Sequence, residues 1–346
     1  MNEVKPTSPW KPSAKDKLRE LVTFFGSMVA SFTLVAVTEL KGKLAYFVSF
    51  VFIYAAISAI YSFRRYGKAT AKDSAVKVFI ACGALLTIIP IASILQTIIS
   101  KGYKGIRPNL FLSDMSMATP TDPLTNGGLL HAIVGTIIMI GGALILSVPI
   151  GILTALYLTE IKGRFTQPIR FLVQAMSGVP SIVAGLFILS AVVYPITKSS
   201  SGFMGSLALS ILMIPTVART SEEVLGLIPQ DLREAGTALG GTQWRTVAMI
   251  VLPAAKSGLM TAVILGIARI AGETAPLLLL TGGGDRLNFN PFDDPMGSLP
   301  FYIWKSFLAG SEEAVTRAWA GLLVLVVVIL ILFVSARILS TRKVAR

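Results

Sequence analysis

Residues 219–253 read RTSEEVLGLIPQDLREAGTALGGTQWRTVAMIVLP, a polar segment of nearly balanced charge between two strongly apolar stretches. Within it, Pro229 suits the first turn of a helix, because its missing N–H is one that a helix start leaves unpaired anyway. Ile228, Leu232, Ala235 and Leu239 recur at spacings of four, three and four, which puts them on one helical face. Gly240 and Gly241 stop that helix, Trp244 and Val247 carry an apolar side into the next segment, and Leu252-Pro253 opens the following apolar stretch. The segment predicts two short helices in a hairpin, exposed to water between membrane spans.

The flanking sequence supplies those spans. The chain has 346 residues, 53% hydrophobic and 14% charged, and its apolar residues fall in blocks long enough to cross a hydrocarbon core of roughly 30 Å. A soluble enzyme is a poor reading of that pattern. Spans are expected near Leu21–Val37, Leu44–Phe63, Val76–Ile99, Ala132–Leu158, Phe171–Ile196, Phe203–Val217, Leu259–Leu280 and Trp319–Leu339, about eight in all. The runs lack two-residue alternation, and a spanning backbone must satisfy its own hydrogen bonds, so the fold class is all-α and polytopic rather than a barrel.

Charge orients the spans. With the N-terminus in the cytoplasm, about two thirds of the 31 Lys and Arg residues fall inside, which predicts both termini cytoplasmic and the 219–253 loop on the same side. Arg64, Arg65, Lys68 and Lys72, and Arg337, Arg342, Lys343 and Arg346, form the clearest internal clusters. Membrane orientation accounts for them and for the net charge of +13 better than nucleic-acid contact does. The loop from Thr281 to Ala318 carries Asp285, Asp293, Asp294, Glu312 and Glu313 and is expected outside, where it is either a docking surface or a solvated loop. The N-terminal tail, with Pro6, Pro9 and Pro12 among charges, lacks the small-residue cleavage site of a signal peptide. Cys82 and His131 are the single residues of their kinds, too few for a disulfide framework or a thiolate–imidazole metal cage, and neither is assigned a chemical role.

One span carries charge. Arg269 and Glu273, four residues apart, are expected on one helix face near the middle of the span, and Pro276 obstructs the helical hydrogen bond to the carbonyl of Gly272. Intramembrane charge is costly and marks transport pathways. Arginine presents a planar fork that suits a phosphate-like anion, and Glu273 can neutralise it when the path is empty. A purely structural Arg–Glu pair joining helices is the competing reading. Arg219, following a span, reads by its position as an interfacial anchor.

The 219–253 loop resembles the cytoplasmic signature of ABC importer permeases: Glu-Ala-Ala, three residues, Gly, nine residues, Ile, one residue, Leu-Pro. Here Glu234, Ala235, Gly236, Gly240, Ile250, Leu252 and Pro253 stand at those positions, with Gly236 replacing the second alanine. Ser177-Gly-Val-Pro-Ser-Ile-Val-Ala-Gly-Leu186 and Ala268-Arg-Ile-Ala-Gly-Glu-Thr-Ala-Pro-Leu-Leu278, together with Ile214-Pro-Thr-Val-Ala-Arg219, narrow the resemblance to phosphate importer permeases of the PstA type over roughly residues 76 to 340. The resemblance implies a type I importer fold at residues 76–346, and residues 1–75 add a tail and a two-span hairpin. It further implies a coupling helix that sits in an ATPase, and a substrate pathway with Arg269, Glu273, Thr274 and Arg219 as candidates. No segment matches a phosphate loop ending in Gly-Lys-Ser/Thr. No catalytic, metal-binding or cofactor residue is therefore assigned, and ATP and Mg are expected on the partner ATPase. The implied partners are a related second permease (PstC-like), two ATPase subunits (PstB-like), an extracytoplasmic phosphate-binding protein (PstS-like) and membrane lipid, with no nucleic acid, in a multi-pass chain of a bacterial cell membrane. Transport of molybdate, sulfate or an amino acid, a carrier not driven by ATP, and a membrane sensor remain the alternative functions.

Overall fold

The structure, a computed structural model, describes residues 14–38 and 42–341. Pro6, Pro9 and Pro12 of the tail, and Arg342, Lys343 and Arg346 of the C-terminal basic cluster, lie outside the described residues. Among the described residues seven helices are long and apolar enough to cross a membrane, or eight if a sharply bent pair counts as one span. The chain divides into two compact units at Gln96/Thr97, later than the boundary at residue 75 that the sequence suggests.

The first unit holds α1 (Ala14–Val37), α2 (Lys43–Tyr66) and most of α3 (Lys68–Gly102). Gly67 (φ 88°) takes the left-handed backbone that the tight turn between α2 and α3 requires. Aromatic contacts of Phe24 with Phe50 and Tyr54 hold α1 to α2, and Ser31 Oγ donates to the carbonyl of Tyr46 at 2.9 Å. Between α2 and α3, Val51, Ala55 and Val78 form a small core, and the Ser62 and Ser74 hydroxyls meet at 2.6 Å. The outer faces stay apolar and exposed, for example at Leu86, Ile89 and Ile94, as a lipid-facing surface requires.

The second unit holds α4 (Asn109–Leu112), α5 (Leu130–Leu156), α6 (Thr166–Ser177), α7 (Ser181–Ile188), α8 (Gly202–Gly226), α9 (Gln230–Ala238), α10 (Gln243–Thr246), α11 (Leu252–Ile270), α12 (Ala275–Leu280), α13 (Leu299–Ala309) and α14 (Glu312–Thr341). A π turn extends α5 to Ile161, another carries α7 on to Thr197, and a third, Val247–Val251, joins α10 to α11 in one helix. Pro253 explains the third: in a regular helix its ring meets the carbonyl four residues back, and the wider turn makes room.

The core runs between α5, α8 and α11. Met139, Ile140, Ala143, Leu209, Met213, Val217, Ile267 and Ile270 are buried there. Lipid tails are as apolar as these side chains, so close packing must hold such helices together, and small residues permit it. A Cβ on Gly151 would lie 2.8 Å from Val217 Cγ1, and one on Gly266 would lie 2.6 Å from Met213 Cε. Ser147 adds a hydrogen bond to the carbonyl of Ser210 at 3.3 Å.

Four expected spans differ in detail. The predicted Phe171–Ile196 span is broken at Gly178–Pro180 into α6 and α7, and the pair bends by 106°. Proline supplies no N–H to α6 and drives its predecessor out of helical geometry. Leu259–Leu280 is likewise broken, between Ile270 and Ala275. Phe203–Val217 extends to Gly226, so Arg219 lies within α8 rather than after it, and Trp319–Leu339 begins earlier, at Glu312. The Thr281–Ala318 loop contains α13 and folds back on the bundle: Leu299 N–H donates to Thr136 Oγ1 at 2.8 Å, and Lys305 pairs with Asp285 at 2.6 Å. The preceding loop is tied to it through Asp114, whose carboxylate accepts from the Ser116 hydroxyl and the Leu287 N–H; these bonds hold its pKa below the usual carboxylate value, Ser116 contributing most.

Arg317, fully buried near the start of α14, donates through Nη2 to the carbonyls of Asp122, Pro123 and Asn126 at 3.1, 2.7 and 2.7 Å. Arg317→Met keeps the stem and strands those carbonyls, so it is expected to cost about 1–3 kcal/mol and to lower the thermal unfolding midpoint of the detergent-solubilised chain. An unchanged midpoint would mean that the 122–126 loop is held by other contacts.

Candidate functional site: a docking helix and a pair of broken spans

At one end of the second unit, α9 leaves α8 through residues 227–229 and returns through a glycine turn. Gly240 (φ 80°) takes the left-handed position; its N–H donates to the carbonyl of Thr237 at 2.9 Å, and that of Gly241 reaches Gly236 at 3.2 Å. This paired closure pins the direction in which the chain leaves the helix. Thr242 then caps the next helix through the N–H of Arg245. The predicted hairpin is present, although its second arm is the start of the long helix to Ile270 rather than a separate short one.

Of the face predicted to be apolar, Ile228 packs inward against the cluster that contains Leu225 and Val251, and the rest points outward. Leu232, Glu234 and Ala235 are exposed, Leu239 is 88% exposed, and Leu227, Trp244 and Met249 of the flanking segments are exposed as well. Apolar side chains grouped at a polar end of a protein mark a surface for a partner. On its inner side α9 touches the helix behind it at Gly236, where a Cβ would stand 2.6 Å from Thr246 Cγ2 and 2.8 Å from Ile250 Cδ1. The departure from Glu-Ala-Ala at Gly236 thus has a local cause: Thr246 fills the space that an alanine methyl would occupy.

Arg233, which the sequence did not single out, holds α9 to its surroundings. Its Nε and Nη2 donate to the Glu160 carboxylate at 3.1 and 2.9 Å, Nη2 also to the carbonyl of Leu225 at 2.9 Å, and Nη1 to that of Ile228 at 2.5 Å. Gln243 Nε2 reaches the Glu160 carbonyl at 2.6 Å. These groups line a cleft of about 820 Å³ together with Lys162 and the Arg170–Glu222 ion pair. An arginine one residue before the Glu-Ala motif, with an acid at the end of a preceding span, is a signal that hydropathy alone cannot rank.

Elsewhere in the second unit, two broken spans meet. Gly185 of α7 lies against Pro276 of α12, so closely that a Cβ on Gly185 would be 2.8 Å from Pro276 Cα. The segments 177–186 and 268–278, picked out separately in the sequence, are therefore packed together. Arg269 sits in the last turn of α11, not mid-helix, and its Nη1 donates to Glu273 across the break; the Arg269 side chain is 42% exposed and that of Glu273 13%. Helix dipoles favour this placement, a cation at the end of α11 and an anion before α12. Thr274 occupies the position before α12, half-buried, with its hydroxyl 3.4 Å from the carbonyl of Gly272.

Arg219 is not part of this cluster. Gly258 faces Val224 and Gly266 faces Met213 and Val217, a register that sets Arg219 roughly 10 Å along the bundle from the level of Arg269, toward α9. Arg219 and Glu223 are both exposed and form a 3.6 Å pair along α8. Among the described residues no group of His, Cys, Asp and Glu is placed to hold a metal.

The family model of the binding-protein-dependent transport system inner membrane component matches residues 147–344, more than half of the chain and every element of both sites. This chain belongs to that family. As an inner membrane component it is a transport permease subunit and not an enzyme. It is 35% identical over 277 residues to the phosphate transport system permease protein PstA 1 of Mycobacterium tuberculosis, covering 79% of this chain and 90% of that one. It is 40% identical over 253 residues to PstA of Pasteurella multocida, covering 72% and 88%. A chain of the inward-facing MetNI methionine ABC transporter superposes with a TM-score of 0.51 at 18% identity, over 63% of this chain and 95% of that one. That likeness establishes the all-α type I importer permease fold.

The Gly236 seat is open to a direct test. Gly236→Ala is expected to cost about 1–3 kcal/mol by overpacking against Thr246 and Ile250, read as a lower unfolding midpoint, and a second change, Thr246→Gly, should recover most of it. A Gly236→Ala protein as stable as the original would refute the steric account.

Proposed function

We propose that this chain is the PstA-type permease subunit of an ATP-driven importer that moves inorganic phosphate into a bacterial cell by alternating access. The observation that carries the reading is the break between α11 and α12, where Arg269 stands part-exposed beside Glu273. An interrupted span frees backbone groups that only a water-lined path or packed protein can satisfy, and a guanidinium there offers two charge-assisted donors to an oxyanion. Glu273 neutralises the charge while the path is empty, and an arriving phosphate displaces it. The names of the relatives in Mycobacterium tuberculosis and Pasteurella multocida support the same substrate.

On this reading the α9 end and both termini face the cytoplasm. The exposed Leu232, Glu234, Ala235 and Leu239 dock in an ATPase subunit, which holds the ATP and Mg, while Ile250, Leu252 and Pro253 set the helix behind the docking surface. A second, PstC-like permease completes the pathway, two PstB-like subunits hydrolyse ATP, and a PstS-like binding protein delivers phosphate to the end formed by the 281–318 loop. A helix in a groove transmits force well, because its motion is that of a rigid body.

The test is ATP-dependent uptake of labelled phosphate by proteoliposomes containing this chain with its co-purifying partners, in the presence of molybdate, sulfate and amino acids. Saturable, ATP-requiring uptake that resists those competitors is expected. Active transport of another solute would overturn the substrate, and no ATP-linked transport by an assembled complex would favour a carrier or sensor. Arg269→Gln should leave assembly intact and reduce phosphate uptake by about 10- to 100-fold, the loss of one or two charge-assisted bonds; normal uptake would remove Arg269 from the pathway.

A further inference from the structure

We infer that Arg233 is a positioning residue for transport: its guanidinium locks the docking helix α9 to the ends of α5 and α8, so that force applied to α9 reaches the bundle. The inference rests on the importer reading above and assigns to one side chain the step between docking and helix movement.

α9 needs such a lock. It has nine residues and is exposed along its length, except at Gly236 and, in part, at Arg233. Helices so short have little stability of their own. The return turn contains Gly240 and Gly241, whose backbones rotate easily, and the Gly236 seat is a van der Waals contact that resists compression but not sliding. A partner pushing on Leu232, Ala235 and Leu239 therefore tilts α9 about its turns unless something polar and directional fixes it.

Arg233 supplies that fixture with one planar group. Two of its nitrogens bind the carboxylate of Glu160, at the end of the π turn that extends α5, and two bind the carbonyls of Leu225 and Ile228, in the last turn of α8 and just beyond it. The carbonyl of Glu160 in turn accepts from Gln243, at the start of the helix that runs to Arg269. One partly buried junction thus ties α9 directly to the ends of α5 and α8 and, through the Glu160 carbonyl, to the helix that contains α11. Lysine has a single ammonium and cannot occupy these acceptors together, which is the physical reason for arginine here. The Arg233 and Glu160 side chains are only 18% and 8% exposed, so salt screens them weakly. The nearby Arg219–Glu223 pair is 65% and 69% exposed and contributes little.

A residue that merely stabilises the fold and one that transmits force differ in what they do to the ratio of solute moved to ATP hydrolysed. The experiment compares Arg233→Met, Arg233→Lys and Glu160→Gln with the unmodified chain, each assembled with its co-purifying partners in proteoliposomes. It measures ATPase co-purification, ATP hydrolysis and labelled phosphate uptake. Because the outward face of α9 is untouched, the ATPase is expected to remain bound and to hydrolyse ATP. Phosphate moved per ATP should fall about tenfold in Arg233→Met, with smaller falls in Arg233→Lys and Glu160→Gln. If Arg233→Met does not assemble, the other two variants, which remove only part of the junction, carry the test. An unchanged ratio in every variant that assembles, or hydrolysis and uptake falling in proportion, overturns the positioning role. Absence of ATP-driven uptake by the unmodified complex would instead overturn the importer reading, and the inference with it.

Discussion

A chain inside hydrocarbon has no water to hydrogen-bond to its backbone, so each peptide group must find a partner in its own helix or be enclosed by protein. Most of this structure follows from that condition. Long helices make up most of the fold, and in the two spans interrupted at 178–180 and 271–274 the halves that follow, α7 and α12, pack together at Gly185 and Pro276. Neither break would be stable on a lipid-exposed surface. The contact of Gly185 with Pro276 encloses the start of α12 in protein, where Pro276 and Leu277 are buried.

The same condition governs how the helices hold together. Burying apolar side chains gains little when the alternative is lipid, so α5, α8 and α11 depend on contact at close range, with glycines at 151, 258 and 266 letting backbones approach. Polar bonds are concentrated at the ends. Arg317 gathers the loop carbonyls at one end, and Arg233 gathers helix ends at the other. A nearly buried guanidinium does in each case what a run of hydrophobic contacts would do in a soluble core.

Much of this is legible in the sequence. Span number and the helical class follow from hydropathy because the membrane imposes a minimum length, and the hairpin built on α9 follows from Pro229, the apolar spacing and Gly240. Breaks are harder to read: a proline in an apolar run is compatible with a kink, a tolerated bend or a full stop, and only packing against a second break decides. Arg219 was misplaced because α8 continues to Gly226 through polar residues that hydropathy reads as loop. Arg233 was invisible because its partner Glu160 lies seventy-three residues earlier, and charge pairing at that range leaves no periodic trace.

The contact of Gly185 with Pro276 carries one more consequence. Gly185 has no room for a side chain to grow, and Pro276 has little conformational freedom to give way. At this contact α7 and α12 therefore behave as a single keyed joint, whose shape is fixed by backbone. Substitutions that alter the chemistry of this region without moving the two halves therefore fall on the residues beside the contact, such as Thr274 and Glu273, while the joint itself stays constant.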